Sequence, residues 1–105
     1  MGTYRFTAEL WQAQGGSWHF VTIPFDVSDE IDETAPSARV AFGSVRVEAT
    51  VGRTSWQTSV FPDRRVGAFV LPVKRTVRDT EGLAAGDAVE VTLSVVAVGS
   101  SDEPS

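Results

Sequence analysis

Phe69-Val70-Leu71-Pro72-Val73-Lys74-Arg75-Thr76-Val77-Arg78, closed by Gly82-Leu83-Ala84-Ala85-Gly86-Asp87 and followed by Ala88-Val89-Glu90-Val91-Thr92-Leu93, reads as strand, short helix, tight turn, strand. Pro72 suits the first turn of a helix, where its missing N–H would be an orphan in any case. Gly82 suits the left-handed residue just past the helix end. The helix is predicted over about 73–81, with Val73 and Val77 inward, Lys74, Arg75 and Arg78 outward, and Arg78 complementing the dipole at the C-terminal end. Such a segment specifies a compact corner of a fold and no reaction.

Alternation extends the reading in both directions. Tyr4, Phe6, Ala8 and Leu10 alternate with Arg5, Thr7, Glu9 and Trp11, the period of a strand with one buried face. Gly15-Gly16 supplies a turn and residues 18–25 return as a second strand, a hairpin. Residues 26–36 are polar and acidic, and read as a loop with one helical turn at most, Ile31 its main buried candidate. Val45, Val47, Ala49 and Val51 then alternate with Arg46, Glu48 and Thr50 up to a turn at Gly52-Arg53. Trp56, Thr58 and Val60 continue as a strand until a turn at Phe61-Pro62-Asp63-Arg64, and residues 66–71 form the next. The last strand spans about 88–96. The expectation is a mostly β domain over 1–97, six or seven strands plus one short helix, with a disordered polar tail at 98–105.

A weak internal repeat points to closure of that sheet. Residues 4–10 resemble 45–51, and Val21-Thr22-Ile23-Pro24-Phe25 resembles Phe69-Val70-Leu71-Pro72-Val73, so Pro24 and Pro72 read as equivalent bends. Either alternating strands look alike by chance, or two half-barrels are joined in one chain as a pseudo-twofold closed barrel without exposed edges.

Composition bounds the chemistry. A chain of 105 residues with 42% apolar content suffices for one core. Zero cysteines exclude disulfides, thiolate catalysis and the commonest ligands of structural zinc. Neither a leader nor a membrane span is read from the sequence, so a soluble, cytoplasmic protein is expected. The net charge of −5 disfavours bulk nucleic-acid binding, yet the charge is polarised. Asp26, Asp29, Glu30, Asp32 and Glu33 crowd one segment, whereas Arg53, Arg64, Arg65, Lys74, Arg75 and Arg78 share theirs with Asp63.

The segment from Leu71-Pro72-Val73 through Arg78, Gly82, Leu83, Gly86, Asp87, Val89 and Val91 resembles the swapped-hairpin half-barrel of AbrB-like and MazE-like transcription factors and antitoxins, over about a quarter of the chain. Over most of its length the chain is closer to the bacterial domain of unknown function 1905 family. The features are the opening strand, Trp18-His19-Phe20-Val21-Thr22-Ile23-Pro24, the middle hairpin through Phe61-Pro62, and the block from Leu71-Pro72-Val73-Lys74 to Asp87. That resemblance implies a single-chain double-split β-barrel and supplies no activity, cofactor or catalytic residue. The acids at Asp26, Asp29 and Glu30, near the corner where the second half carries Lys74, Arg75 and Arg78, depart from the symmetric basic surface of the DNA-binding relatives.

Candidate sites follow from residue type. His19 is the sole histidine and is flanked by aromatics in a strand, with no Gly-x-Ser-x-Gly elbow anywhere, so a hydrogen-bonded or outward-facing strand histidine outweighs a catalytic one. The acidic segment lacks the alternating spacing and glycine of a calcium loop and reads as a solvated face. Arg64 and Arg65 in a turn, with Lys74, Arg75 and Arg78 on one helix, form the candidate anion or ligand surface, with Trp56 or Trp11 as a stacking face. The alternative is a solvated helix neutralised by Asp79 and Glu81. Trp11, Trp18 and Trp56 read most simply as packing residues. The sequence thus favours a non-enzymatic binding or interaction module without cofactor or metal, its ligand or protein partner unknown and a monomer plausible. An AbrB-like nucleic-acid-binding regulator and an accessory regulatory domain are the alternatives.

Overall fold

The computed structural model describes residues 3–34 and 43–96. The expected tail at 98–105 and the 97 boundary lie outside them. In chain order the elements are β1 (Thr3–Gln12), β2 (His19–Thr22), α1 (Phe25–Thr34), β3 (Val45–Val51), β4 (Thr54–Asp63), β5 (Ala68–Pro72), α2 (Arg75–Glu81) and β6 (Ala88–Val95). All neighbouring strands are antiparallel and close into a barrel in the order β1-β2-β5-β4-β3-β6. The expected mostly β closed barrel is therefore observed, with six strands.

Two long strands make closure possible. β1 pairs with β6 over its first seven residues and with β2 from Leu10 on, and β4 pairs with β3 up to Val60 and with β5 from Phe61 on. Each long strand thus passes from one sheet to the other. Leu10, Val21, Val60, Leu71 and Leu93 are fully buried inside, and Ile31 of α1 and Val77 of α2 join the same core.

The pairing registers show the twofold relation of the halves. Adding 50 to each residue number turns the pairs Trp11 with Phe20 and Gln12 with His19 into Phe61 with Val70 and Pro62 with Phe69. Strand β1 thus matches β4, β2 matches β5 and α1 matches α2, while β3 matches β6 with a different shift of 42, since Phe6 pairs with Val91 and its counterpart Trp56 with Ala49. The pair Val21 with Leu71 maps onto itself and lies on the pseudo-axis. This corrects the alignment read from the sequence, which matched β1 to β3. Pro24 and Pro72 sit at the same type of corner but two positions out of register, because Pro24 corresponds to Lys74 and Pro72 to Thr22.

Those corners are built alike. Ile23 N–H donates to Phe69 O and Val73 N–H to His19 O, both at 2.9 Å, related by the same shift of 50. Where the ladder between Ile23 and Phe69 would make its second bond, the Ser28 hydroxyl is inserted, accepting from Phe69 N–H and donating to Ile23 O, each at 3.1 Å. At the matching place on the other half, Arg78 Nε donates to Val73 O at 3.2 Å.

Three expectations are corrected. Residues 25–34 form a full helix rather than a loop, because Val27 and Ile31, one turn apart, share a stripe with buried Ser28, and burial of Ile31 overrides the poor helix propensity of Asp26, Asp29 and Asp32. Asp26 adds a favourable charge in the first turn. Pro72 ends β5 rather than starting the second helix, whose N-cap is Lys74. Pro62 lies inside β4 rather than in a turn. It is tolerated because β4 has already left β3 at Val60, so no ladder bond is asked of the missing N–H. Gly82 is the left-handed C-cap as expected, with φ 67°.

Candidate functional site

The five cations of the expected surface fall into two groups. Arg64 and Arg65 sit in the β4–β5 turn at the start of β5, and Lys74, Arg75 and Arg78 lie beyond its end, about 17 Å apart for a strand of this length. Arg65 Nε lies 3.4 Å from Asp63 Oδ1, and Arg75 Nε 3.6 Å from Asp79 Oδ2. Arg78 is half-buried on Val73 O, a bond that shapes the corner. Trp56, the proposed stacking face, is in the core at 8% exposure and offers no free ring.

Arg64 instead shares a cleft with acids. With Asp63, it lines a cleft of about 200 Å³ whose other wall is Ser28, Asp29 and Asp32 of α1. The acidic helix missed in the sequence is what places those carboxylates beside the β4–β5 turn. Among the described residues, no group of three or more His, Cys, Asp or Glu side chains is arranged to hold a metal ion. His19 is a strand residue with Nδ1 2.8 Å from Ser17 O.

The tryptophans separate by environment. Trp11 lies in β1 with its indole N–H donated to Thr22 Oγ1 at 2.9 Å and its ring 5.0 Å from Phe20. Trp18, expected as a packing residue, stands 65% exposed at the tip of the β1–β2 hairpin, its ring almost parallel to Phe20 at 13° and 6.1 Å. Alternation puts Phe20 and Val70 on the outside of the barrel, since their neighbours Val21 and Leu71 point in. Phe61, 42% exposed, follows inward-pointing Val60.

Together with Ala13, Pro62, Asp63, Arg64 and Pro72, the side chains of Trp18, Phe20, Phe61 and Val70 line an open groove of about 480 Å³ on the outer face of β2, β5 and β4. The groove runs into the acidic cleft, the two sharing Pro62, Asp63 and Arg64. Of the residues expected from sequence, only Arg64 lines it. The rest escaped notice because a hairpin-tip tryptophan and an outward-facing phenylalanine look like core residues until the register is known. Chemically the groove offers flat apolar faces at one end and ionic groups at the other.

No helix among the described residues is long and apolar enough to cross a membrane. No curated protein matches the chain. The model of the family described as Domain of unknown function (DUF1905) matches residues 6–93, which takes in β2 to β5 and both helices whole and most of β1 and β6. The chain belongs to the DUF1905 family.

Proposed function

We propose that the protein is a non-enzymatic binding module whose ligand lies in the groove over β2, β5 and β4. One observation carries this reading: Trp18 is 65% exposed, supported flat on Phe20 and set beside a second exposed aromatic, Phe61, in a single concavity. Large apolar side chains are costly to leave in water, and a rimmed patch of them is a mark of a binding surface. The groove also lies within the size range of sites that take small ligands. An accessory domain is the same reading with a partner protein as ligand. The nucleic-acid alternative has less support, since the cations divide between two ends of β5 and Arg64 is set among carboxylates.

A fragment screen followed by amide and indole chemical shifts tests this. Planar apolar fragments are expected to move the Trp18 indole and the amides of Phe20, Phe61 and Val70 together, and to lose that effect in Trp18→Ala. Shifts confined to α2, or none at these positions with any fragment, refute the assignment.

A further inference from the structure

We infer that the groove takes a flat aromatic acid, its rings on the aromatic faces and its carboxylate on Arg64; this rests on the binding reading above and names the ligand class. The floor of the groove is the first argument. Strand β5 runs between β2 and β4, with Val70 paired to Thr22 on one side and to Phe61 on the other. Its backbone is committed to those neighbours, so the floor offers no free N–H or C=O. An extended peptide carries a donor and an acceptor at every residue and finds no partners for them there. A ligand whose polarity is gathered in one group avoids that cost.

The polar side chains select the group. Asp63 is engaged, its Oδ1 accepting from Arg65 N–H at 3.1 Å and lying 3.4 Å from Arg65 Nε. Among the described residues, neither the Arg64 guanidinium nor the Trp18 indole N–H has a hydrogen-bond or ion-pair partner. Both are donors and one is a cation, so the unmet need of the groove is a negatively charged acceptor. A planar guanidinium meets a carboxylate through two parallel bonds. Asp29 is the rival for Arg64, but it lines the adjoining cleft and not the groove, and Asp32 of the same wall makes a contact of its own. One carboxylate on one unengaged cation is the match. A polyanion would also have to pass the acids of α1.

Strand spacing sets the size of the flat body. Phe20 stands on β2 and Phe61 on β4, two strand spacings or about 10 Å apart. Trp18 and Phe20, inclined at only 13°, form one continuous face. Two fused rings reach from that face toward Phe61, whereas a single ring touches one wall. The pseudo-twofold gives the site a direction: under the shift of 50 the counterpart of Trp18 is Ala68 and that of Arg64 is Gln14. Rings stand at one end and the cation at the other, so the ligand is held in one orientation.

The test is a titration of the intact labelled protein with 2-naphthoate and with its neutral isostere 2-naphthamide, followed by indole and amide shifts. Both are expected to shift the Trp18 indole saturably, the acid binding about three- to fivefold more tightly, the scale of an exposed ion pair. Arg64→Gln is expected to abolish that preference and to leave the affinity for 2-naphthamide unchanged. Asp29→Asn is expected to widen the preference, because a competing charge beside Arg64 is gone. Trp18→Ala is expected to weaken both compounds about tenfold. Retention of amide dispersion in each variant shows that folding is intact. A preference for the acid that survives Arg64→Gln overturns the inference. If 2-naphthamide binds as tightly as 2-naphthoate, the groove reading stands and the acid assignment falls; if neither compound shifts Trp18, both fall.

Discussion

Replacing Ser28 by alanine removes two hydrogen bonds and very little volume, which makes it a sharp probe of how the corners hold. The hydroxyl is buried, accepts from Phe69 N–H and donates to Ile23 O. Each such bond contributes about 1 kcal/mol net, and a buried N–H left without its partner costs a further 1–3 kcal/mol or so. The expected loss is therefore about 3 kcal/mol. For a domain of this size that lowers the urea midpoint by about 2 M and the melting temperature by about 15 °C. Hydrogen exchange adds a local readout, since the Phe69 amide should lose protection relative to the Leu71 amide beyond what global destabilisation explains. The competing outcome is that β2 and β5 close once the hydroxyl is gone and Phe69 N–H donates directly to Ile23 O, for the strands already approach there at 2.9 Å. A loss under about 0.5 kcal/mol with Phe69 still protected would mean the hydroxyl is only a spacer, and the account of the corner would be refuted.

Arg78→Ala removes the donor to Val73 O at the matching corner and should cost about 1 kcal/mol by urea unfolding, less than Ser28→Ala because the site is only half-buried; equal losses would contradict that ranking. Gly52 has φ 59°, and a Cβ there would collide with Glu81 Oε1, the carboxylate that also accepts from Thr54 Oγ1 and Arg53 N–H. Gly52→Ala should therefore cost about 2 kcal/mol, and less in a Glu81→Ala background where the collision is gone, so simple additivity in the double-mutant cycle would show that the contact is not the cause. Leu71→Ala, at a fully buried position on the pseudo-axis, should lose about 2–5 kcal/mol, and a smaller loss by thermal or urea unfolding would place that side chain outside the core.

The strands were legible because burial imposes a period of two. Val45, Val47, Ala49 and Val51 are all buried with Arg46 and Glu48 exposed between them, as the alternation required. Helix α1 was not legible, since its inward stripe is only half-buried Val27 with buried Ser28 and Ile31, and its solvent side carries aspartates, which favour turns and caps over helix interiors. The prolines misled for a related reason. Proline signals a missing donor, and both a turn and a strand beyond its neighbour's reach satisfy that condition; only the pairing shows that Pro62 and Pro72 are the second kind. The basic cluster looked compact in sequence because residues 64–78 are close along the chain, yet β5 runs straight between its two parts.

The halves of the barrel share a backbone and differ in what they hang on it, and that contrast separates folding from binding. At equivalent corners Ser28 and Arg78 solve the same problem, a donor for a strand carbonyl next to a helix, with unrelated side chains. The hydrogen bond is therefore what the fold requires there, and the residue type is free. On the outer face the freedom has a different result. Trp18 and Phe20 correspond to Ala68 and Val70, and no backbone requirement distinguishes the two sides, because both hairpins pair in the same register. An exposed ring at position 18 adds nothing that the fold needs, since Ala68 takes its place in the matching half. On the proposed binding reading its stabilising partner would lie outside the chain, and the groove, rather than the more numerous surface arginines, is where that reading puts the ligand.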